Sequence, residues 1–327
     1  MSWRHRKKEW TEAIKQYARS IGFEDCGIAK PVPLDEEARQ YEDWLRRGFH
    51  GTMQYMEKTF EIRIDPKKLL PSAKSVIVLT HSYFRKEARY KPNSPKIARY
   101  AHGLDYHIVL RRKLERLHDF MCKLIGREIE AVYSVDSMPV MERVWARRAG
   151  LGWQGKNTLT ITRKAGSYVF LSVMLVDVEL EYDKPFESDF CGRCNRCVEV
   201  CPTGALVMPG LLDANKCISY LTIEYRGDEL PDGVSAWTDW LFGCDVCQEV
   251  CPWNRFAKET AEESFEPLEP IKEWEWGLWR RLSSNPFKRL FRLSPLRRAG
   301  LRGLRRNMRW LGVEPILPEK NKQPETN

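Results

Sequence analysis

Apolar positions in the first 180 residues follow two periods. Trp10, Ile14, Tyr17 and Ile21 recur at helical spacing. Leu110, Leu114, Leu117, Met121 and Leu124 step by four, three, four and three, which predicts an amphipathic helix of about four turns. Residues 75–83 form a compact apolar run after Pro71-Ser72 and read as a buried strand. Residues 129–135 are rich in strand formers and end at Asp136-Ser137. A helix is expected from near Pro139, a good first-turn residue, to Gly150. Residues 158–162 and 168–178 read as strands joined by a turn at Ala165-Gly166. A sheet with covering helices predicts an α+β (mixed α/β) domain over residues 1–180.

From residue 181 the texture changes. Residues 181–258 hold eight of the ten cysteines, separated by short helical pieces. Residues 259–275 are acidic, contain proline and read as a connection. A basic end region follows, helical in pieces over 294–310, with a polar, frayed finish at 318–327. The expected units are therefore 1–180, 181–258 and 259–327.

Composition narrows the class. With 12 Trp, 12 Tyr and 13 Phe, the chain has too much apolar area to remain disordered. Its longest apolar stretch, residues 168–176, is about half a membrane span and includes a serine, so no span is expected. The first 20 residues are charged nearly throughout and lack an apolar signal core. A cytoplasmic protein with reduced thiols is the expectation. The net charge is +9, but residues 277–313 carry eleven Lys or Arg and no acid, leaving the rest at −2. Solvated helices ordinarily mix signs, so this end is expected to meet a polyanion. Arg297, Arg298, Arg302, Arg305, Arg306 and Arg309 are the candidates for RNA phosphate contact.

The cysteines carry the clearest chemistry. Cys191-x2-Cys194-x2-Cys197-x3-Cys201-Pro202 has the bacterial ferredoxin spacing, in which the fourth cysteine serves a second cluster. Cys244-x2-Cys247-x3-Cys251-Pro252 repeats part of it and lacks one nearby cysteine, which Cys217 can supply. The spacing assigns Cys191, Cys194, Cys197 and Cys251 to one [4Fe-4S] cluster, and Cys201, Cys217, Cys244 and Cys247 to the other. Two structural zinc sites are the alternative, since they also use Cys-x2-Cys pairs. Cys26 and Cys122 read as packing residues. Gly150-Leu-Gly152-Trp-Gln-Gly155-Lys156-Asn157 imitates two phosphate-binding motifs, but the helix precedes it and the strand follows, the reverse of what either motif needs.

Taken together, these residues resemble the epoxyqueuosine reductase family. The likeness lies in Arg63-x-Asp65-Pro66, the block from Arg99 to His107, Asp136-Ser137-x-Pro139, the block from Ala149 to Thr158, both cysteine sets, Cys217 to Glu224, Trp253-Asn254, and Ser294 to Asn307. It runs in order from about residue 10 to residue 312. The resemblance implies a cobalamin-binding domain, a two-cluster ferredoxin-like domain and a helical-repeat region, here cut to one or two helices. It implies reduction of epoxyqueuosine to queuosine at the wobble position of tRNA, with electrons passing through two [4Fe-4S] clusters to cobalamin. It implies an external low-potential electron donor and tRNA as partners; a monomer is expected. The family's proton donor falls on Asp136, and its cobalamin contacts fall on Arg63, Ala101, Asp136, Thr160 and Leu171. Read alone, Asp136 is better taken as the N-cap of the helix that follows it. His102 and His107 read as hydrogen-bonding residues rather than cobalt ligands. Two other functions compete: a corrinoid reductive dehalogenase, and a ferredoxin module fused to an RNA-binding domain.

Overall fold

The computed structural model describes residues 3–86, 91–234, 237 and 239–316. The expected frayed segment 318–327 lies outside them.

Helix α1 (Trp3–Ser20) leads into strand β1 (Asp25–Ala29) and, after short helices, into β2 (Ser75–Ser82). Helix α2 (Tyr106–Ile125) follows, then β3 (Ala131–Ser134), α3 (Glu142–Arg148) and β4 (Val169–Val176). The strands form one antiparallel sheet in the order β1-β2-β4-β3, with Ile77 opposite Met174 and Tyr133 opposite Met174 on its other side. Both faces are covered. Ile77, Leu79, Met174 and Val176 face α1 and α2, while Val76, Val78, Val173 and Leu175 face Trp145 and Ala146 of α3. That is why residues 76–79 read as a continuous apolar run rather than an alternation: all eight residues of β2 are buried.

Helix α2 fits its sequence signals closely. Leu110, Leu114, Leu117 and Met121 are fully buried. The Asp105 side chain accepts the His107 amide at 3.0 Å at its start, and Gly126 closes it with a φ of 78°. Helix α3 is shorter than predicted. It begins at Glu142 rather than near Pro139, because residues 135–141 form a loop instead. Only Thr160–Ile161 of the predicted 158–162 strand is extended, since Thr158 has a φ of 68°.

In the cysteine lobe, Arg196–Glu199 and Val246–Glu249 form two short helices that pack together. Helix α4 (Ile218–Ile223) and strand β5 (Trp240–Phe242) lie between them in sequence. β5 runs parallel to residues 96–97, tying this lobe to the first. The acidic segment is firmly seated: Phe265 is buried in the sheet lobe's core and the Leu268 amide donates to the His102 carbonyl. The basic end region packs inward too. Trp279, Phe291, Leu304 and Met308 share a core with Ile97, Ala101 and Phe242. Its last described helix is α5 (Gly300–Trp310).

Candidate active site

The loop between β3 and α3 presents Asp136 with a φ of 56°. This left-handed conformation costs an L-residue about 1 kcal/mol, though aspartate tolerates it better than most. Asp136 is exposed. Tyr106, at the start of α2, donates its hydroxyl to Asp136 Oδ2 at 2.6 Å. From beneath, Glu142 Oε1 accepts the Asp136 amide at 3.2 Å and the Ser134 hydroxyl at 2.7 Å. Asp136 does not cap α3, whose N-cap is Met141 with no side-chain bond. Arg143, one residue on, donates to the carbonyl of another left-handed residue, Thr158, at 2.8 Å.

Around Asp136 several charges converge. Burial raises the Tyr55 phenol, and the nearby charges of Glu224, Arg298, Asp136 and Arg63 all act on it. Arg63 lies in a short helix (Phe60–Ile64), where its Nε donates to Thr59 Oγ1 at 2.9 Å. Arg298 forms a two-pronged pair with Glu224, both bonds 2.8 Å. Tyr55, Glu224, Arg226 and Arg298, with Thr52 and Met53, line a cavity of about 400 Å³. A second cavity of about 360 Å³, lined in part by Lys30, Glu37 and Arg148, contains none of these groups.

The remaining expected cofactor contacts divide. Thr160 is buried and its hydroxyl has no hydrogen-bond partner among the described residues, an unmet polar group that suits a ligand. Leu171 is half-buried on β4. Ala101 is fully buried, its methyl packed with Ile97 and Phe242, so its side chain offers no contact surface. His102 is buried, its Nε2 lies 2.7 Å from the Ile97 carbonyl, and burial lowers its pKa to about 4. His107 Nδ1 lies 2.6 Å from Asp105. The glycines of the phosphate-motif imitation serve packing: a Cβ on Gly152 would lie 2.2 Å from the Ile161 carbonyl.

The thiols fall into two sets. Burial raises Cys197, and Cys191, Cys251 and Cys194 are the thiols that act on it. Burial pushes Cys244 up to about 12, with Cys217 and Cys201 acting on it. Cys247 feels Cys217 and Cys244 and, more weakly, Cys197 of the first set. No disulfide joins any of the ten cysteines. Among the described residues no three such side chains converge as they would on a single ion. A four-iron cluster instead spreads its thiolates over separate irons. Metal binding deprotonates such thiols, and two sets of four free cysteines are the donor set of two four-iron clusters.

Comparison with known proteins decides the family. Residues 63–137 match a family model described as epoxyqueuosine reductase QueG, DUF1730, and residues 190–254 match a 4Fe-4S double cluster binding domain. The epoxyqueuosine reductase of Cyclobacterium marinum is 43% identical over 93% of this chain and 97% of its own length. This chain belongs to the epoxyqueuosine reductase family.

The Escherichia coli epoxyqueuosine reductase is 38% identical over 92% of this chain but only 78% of its own. This chain thus spans nearly the whole length of the Cyclobacterium protein and about four-fifths of the Escherichia coli one. A crystal structure of an epoxyqueuosine reductase superposes with a TM-score of 0.84 and 32% identity, covering 93% of this chain and 81% of that one. Another, carrying an epoxyqueuosine-modified tRNA-Tyr stem loop, gives 0.80 and 31% over 93% and 82%. The Bacillus subtilis enzyme, at the same values, is described with its catalytic aspartate loop swung out of the active site. Whole-length identity to these reductases displaces the dehalogenase and fusion readings, and the double-cluster match displaces zinc.

The six tail arginines of this chain do not act alike. Arg297, Arg298, Arg302 and Arg309 are exposed and Arg305 is half-buried. Arg306, expected to meet RNA phosphate, is only 3% exposed: it donates to the Leu221 and Tyr225 carbonyls and stacks on Trp310. It is a structural residue, and burial lowers its pKa to about 10. Asp228 and Glu224, distant in sequence, pair with Arg302 and Arg298, so the tail's charge is partly balanced in space. Sequence reasoning missed Tyr106, Glu142 and Tyr55 as site residues. Only the quoted Arg99–His107 block touched any of them.

Proposed function

We propose that this chain reduces the epoxide of epoxyqueuosine in tRNA to the alkene of queuosine, with Asp136 as the proton donor. The observation that carries this reading is Asp136 itself, exposed and held in a left-handed turn by Tyr106 and Glu142. The overall change consumes two electrons and two protons and releases the epoxide oxygen as water. Cobalamin and the two [4Fe-4S] clusters, when bound, supply low-potential electrons that no side chain can deliver. Arg63, Thr160 and Leu171 would hold the corrin, Arg63 through its planar donor fork. The two four-thiol sets would hold the clusters.

The residues of this chain do the rest. Tyr106 donates its hydroxyl to Asp136 Oδ2 and so fixes the orientation of the carboxyl. Asp136 delivers a proton to the leaving oxygen as its carbon bond breaks. Arg297, Arg298, Arg302 and Arg309 attract the RNA backbone, so binding weakens with salt. The modified base leaves its stack to reach the site. Phe190 and Phe256, both exposed, flank the Cys191 and Cys251 end and suit an external electron donor.

The test is turnover. Protein reconstituted with both clusters and cobalamin receives a low-potential reductant and epoxyqueuosine tRNA, and the nucleosides are read by mass spectrometry. Loss of one oxygen is expected, falling by roughly 100-fold or more in Asp136→Asn. No conversion by fully loaded wild-type protein overturns the reading.

A further inference from the structure

Asp136 sits in a turn that its own backbone disfavours, on a loop exposed to solvent, so the turn needs an outside restraint. Two side chains provide restraints of different kinds. Tyr106 grips the carboxylate and so fixes the side chain. Glu142 grips the backbone: one of its oxygens accepts both the Ser134 hydroxyl at 2.7 Å and the Asp136 amide at 3.2 Å. That single oxygen bridges the end of β3 and the strained residue, spanning the bend that sets where Asp136 points.

We infer that Glu142 is the positioning residue for the proton donor: its carboxylate holds the 134–136 turn and thereby aims Asp136. The inference rests on the reading of Asp136 as that donor. Three observations support it. Glu142 is the first residue of α3, whose N-cap Met141 has no side-chain bond, and its carboxylate bonds the loop residues Ser134 and Asp136. The carboxylate is enclosed by protein although the residue keeps some surface; burial, and then the charge of Asp136, push its pKa up to about 7. The next residue, Arg143, holds a second left-handed residue, Thr158. One turn of α3 therefore restrains both strained positions of this region.

The experiment compares wild type, Glu142→Ala and Glu142→Gln, each loaded with clusters and cobalamin. It reads kcat and KM for the epoxyqueuosine stem loop, and amide exchange of the peptide spanning residues 133–140. Glu142→Ala is expected to speed that exchange about tenfold or more. It should lower kcat by roughly 10- to 100-fold with KM unchanged, as a misaimed catalytic group does. Glu142→Gln retains an accepting oxygen, so both readouts should return to within about threefold of wild type. Glu142→Ala with wild-type exchange and kcat overturns the inference, and so does Glu142→Gln as impaired as Glu142→Ala. Exchange requires no turnover, so a wrong assignment of the reaction and a wrong assignment of Glu142 give different results.

Discussion

In the sheet lobe, β2 buries all eight of its residues and both faces of the sheet carry apolar layers. Across residues 181–216 of the cysteine lobe the only buried apolar residues are Ala205, Leu206 and Ala214. At about 25 cal/mol per Å² of buried apolar surface, the first region holds itself together and the second has little with which to do so. Its remaining means of cohesion are the four thiols of Cys191, Cys194, Cys197 and Cys201 and contacts with its neighbours. The first four cysteines thus sit in a stretch with little apolar core of its own, whereas Asp136 lies on the rim of the well-packed sheet lobe.

The widest separation of the two lobes is expected on removing iron. Amides in residues 190–217 should then exchange near the unfolded rate, while those of β2 and β4 stay protected. Equal protection in both lobes by mass-resolved exchange would break the comparison.

Next in size is Leu114→Ala, at a fully buried position between α1 and the sheet, with an expected loss of about 2–5 kcal/mol in denaturant titration. Val207→Ala, at a site 42% exposed in the cysteine lobe, should stay within about 0.5 kcal/mol.

The smallest effect concerns pH. Glu24 accepts the Ser82 amide at 2.6 Å at the edge of the sheet, and burial raises its pKa from 4.5 to about 7. A carboxyl raised on folding favours the folded state most below its unfolded pKa, and that contribution is lost as pH rises through about 7. Glu24→Gln should therefore gain on wild type by about 1 kcal/mol between pH 5 and pH 8, measured as a difference in melting curves. A pH-independent difference would show that Glu24 stays charged throughout.

The same contrast governs what could be read from the sequence. The α2 periodicity, the buried run of β2 and the grouping of the thiols all follow from spacing, and spacing survives in one dimension. The Asp136 region does not. Its chemistry depends on a φ of 56°, a hydroxyl from α2 and an acid from α3, none of which leaves a periodic signal. Proline at 139 favours a helix start locally, but the loop bonds from Glu142 prevail and α3 begins later. Arg306 misled for a related reason. It belongs to a run of like charges, and only packing against Tyr225 and Trp310 reveals it as an interior group.

Asn307, on α5, donates to the Thr222 carbonyl at 2.8 Å and to the Leu241 carbonyl at 2.9 Å. These two carbonyls lie just after Cys217 and just before Cys244. A ribosome delivers the chain in order, N-terminal regions first. The strands of the sheet are complete in the nascent chain long before residue 307 exists, whereas the frame around Cys217 and Cys244 gains this clamp only with α5. The second thiol set, complete once Cys247 is made, therefore waits a further 60 residues for this brace, and a chain stalled short of α5 presents those thiols in an unfinished frame.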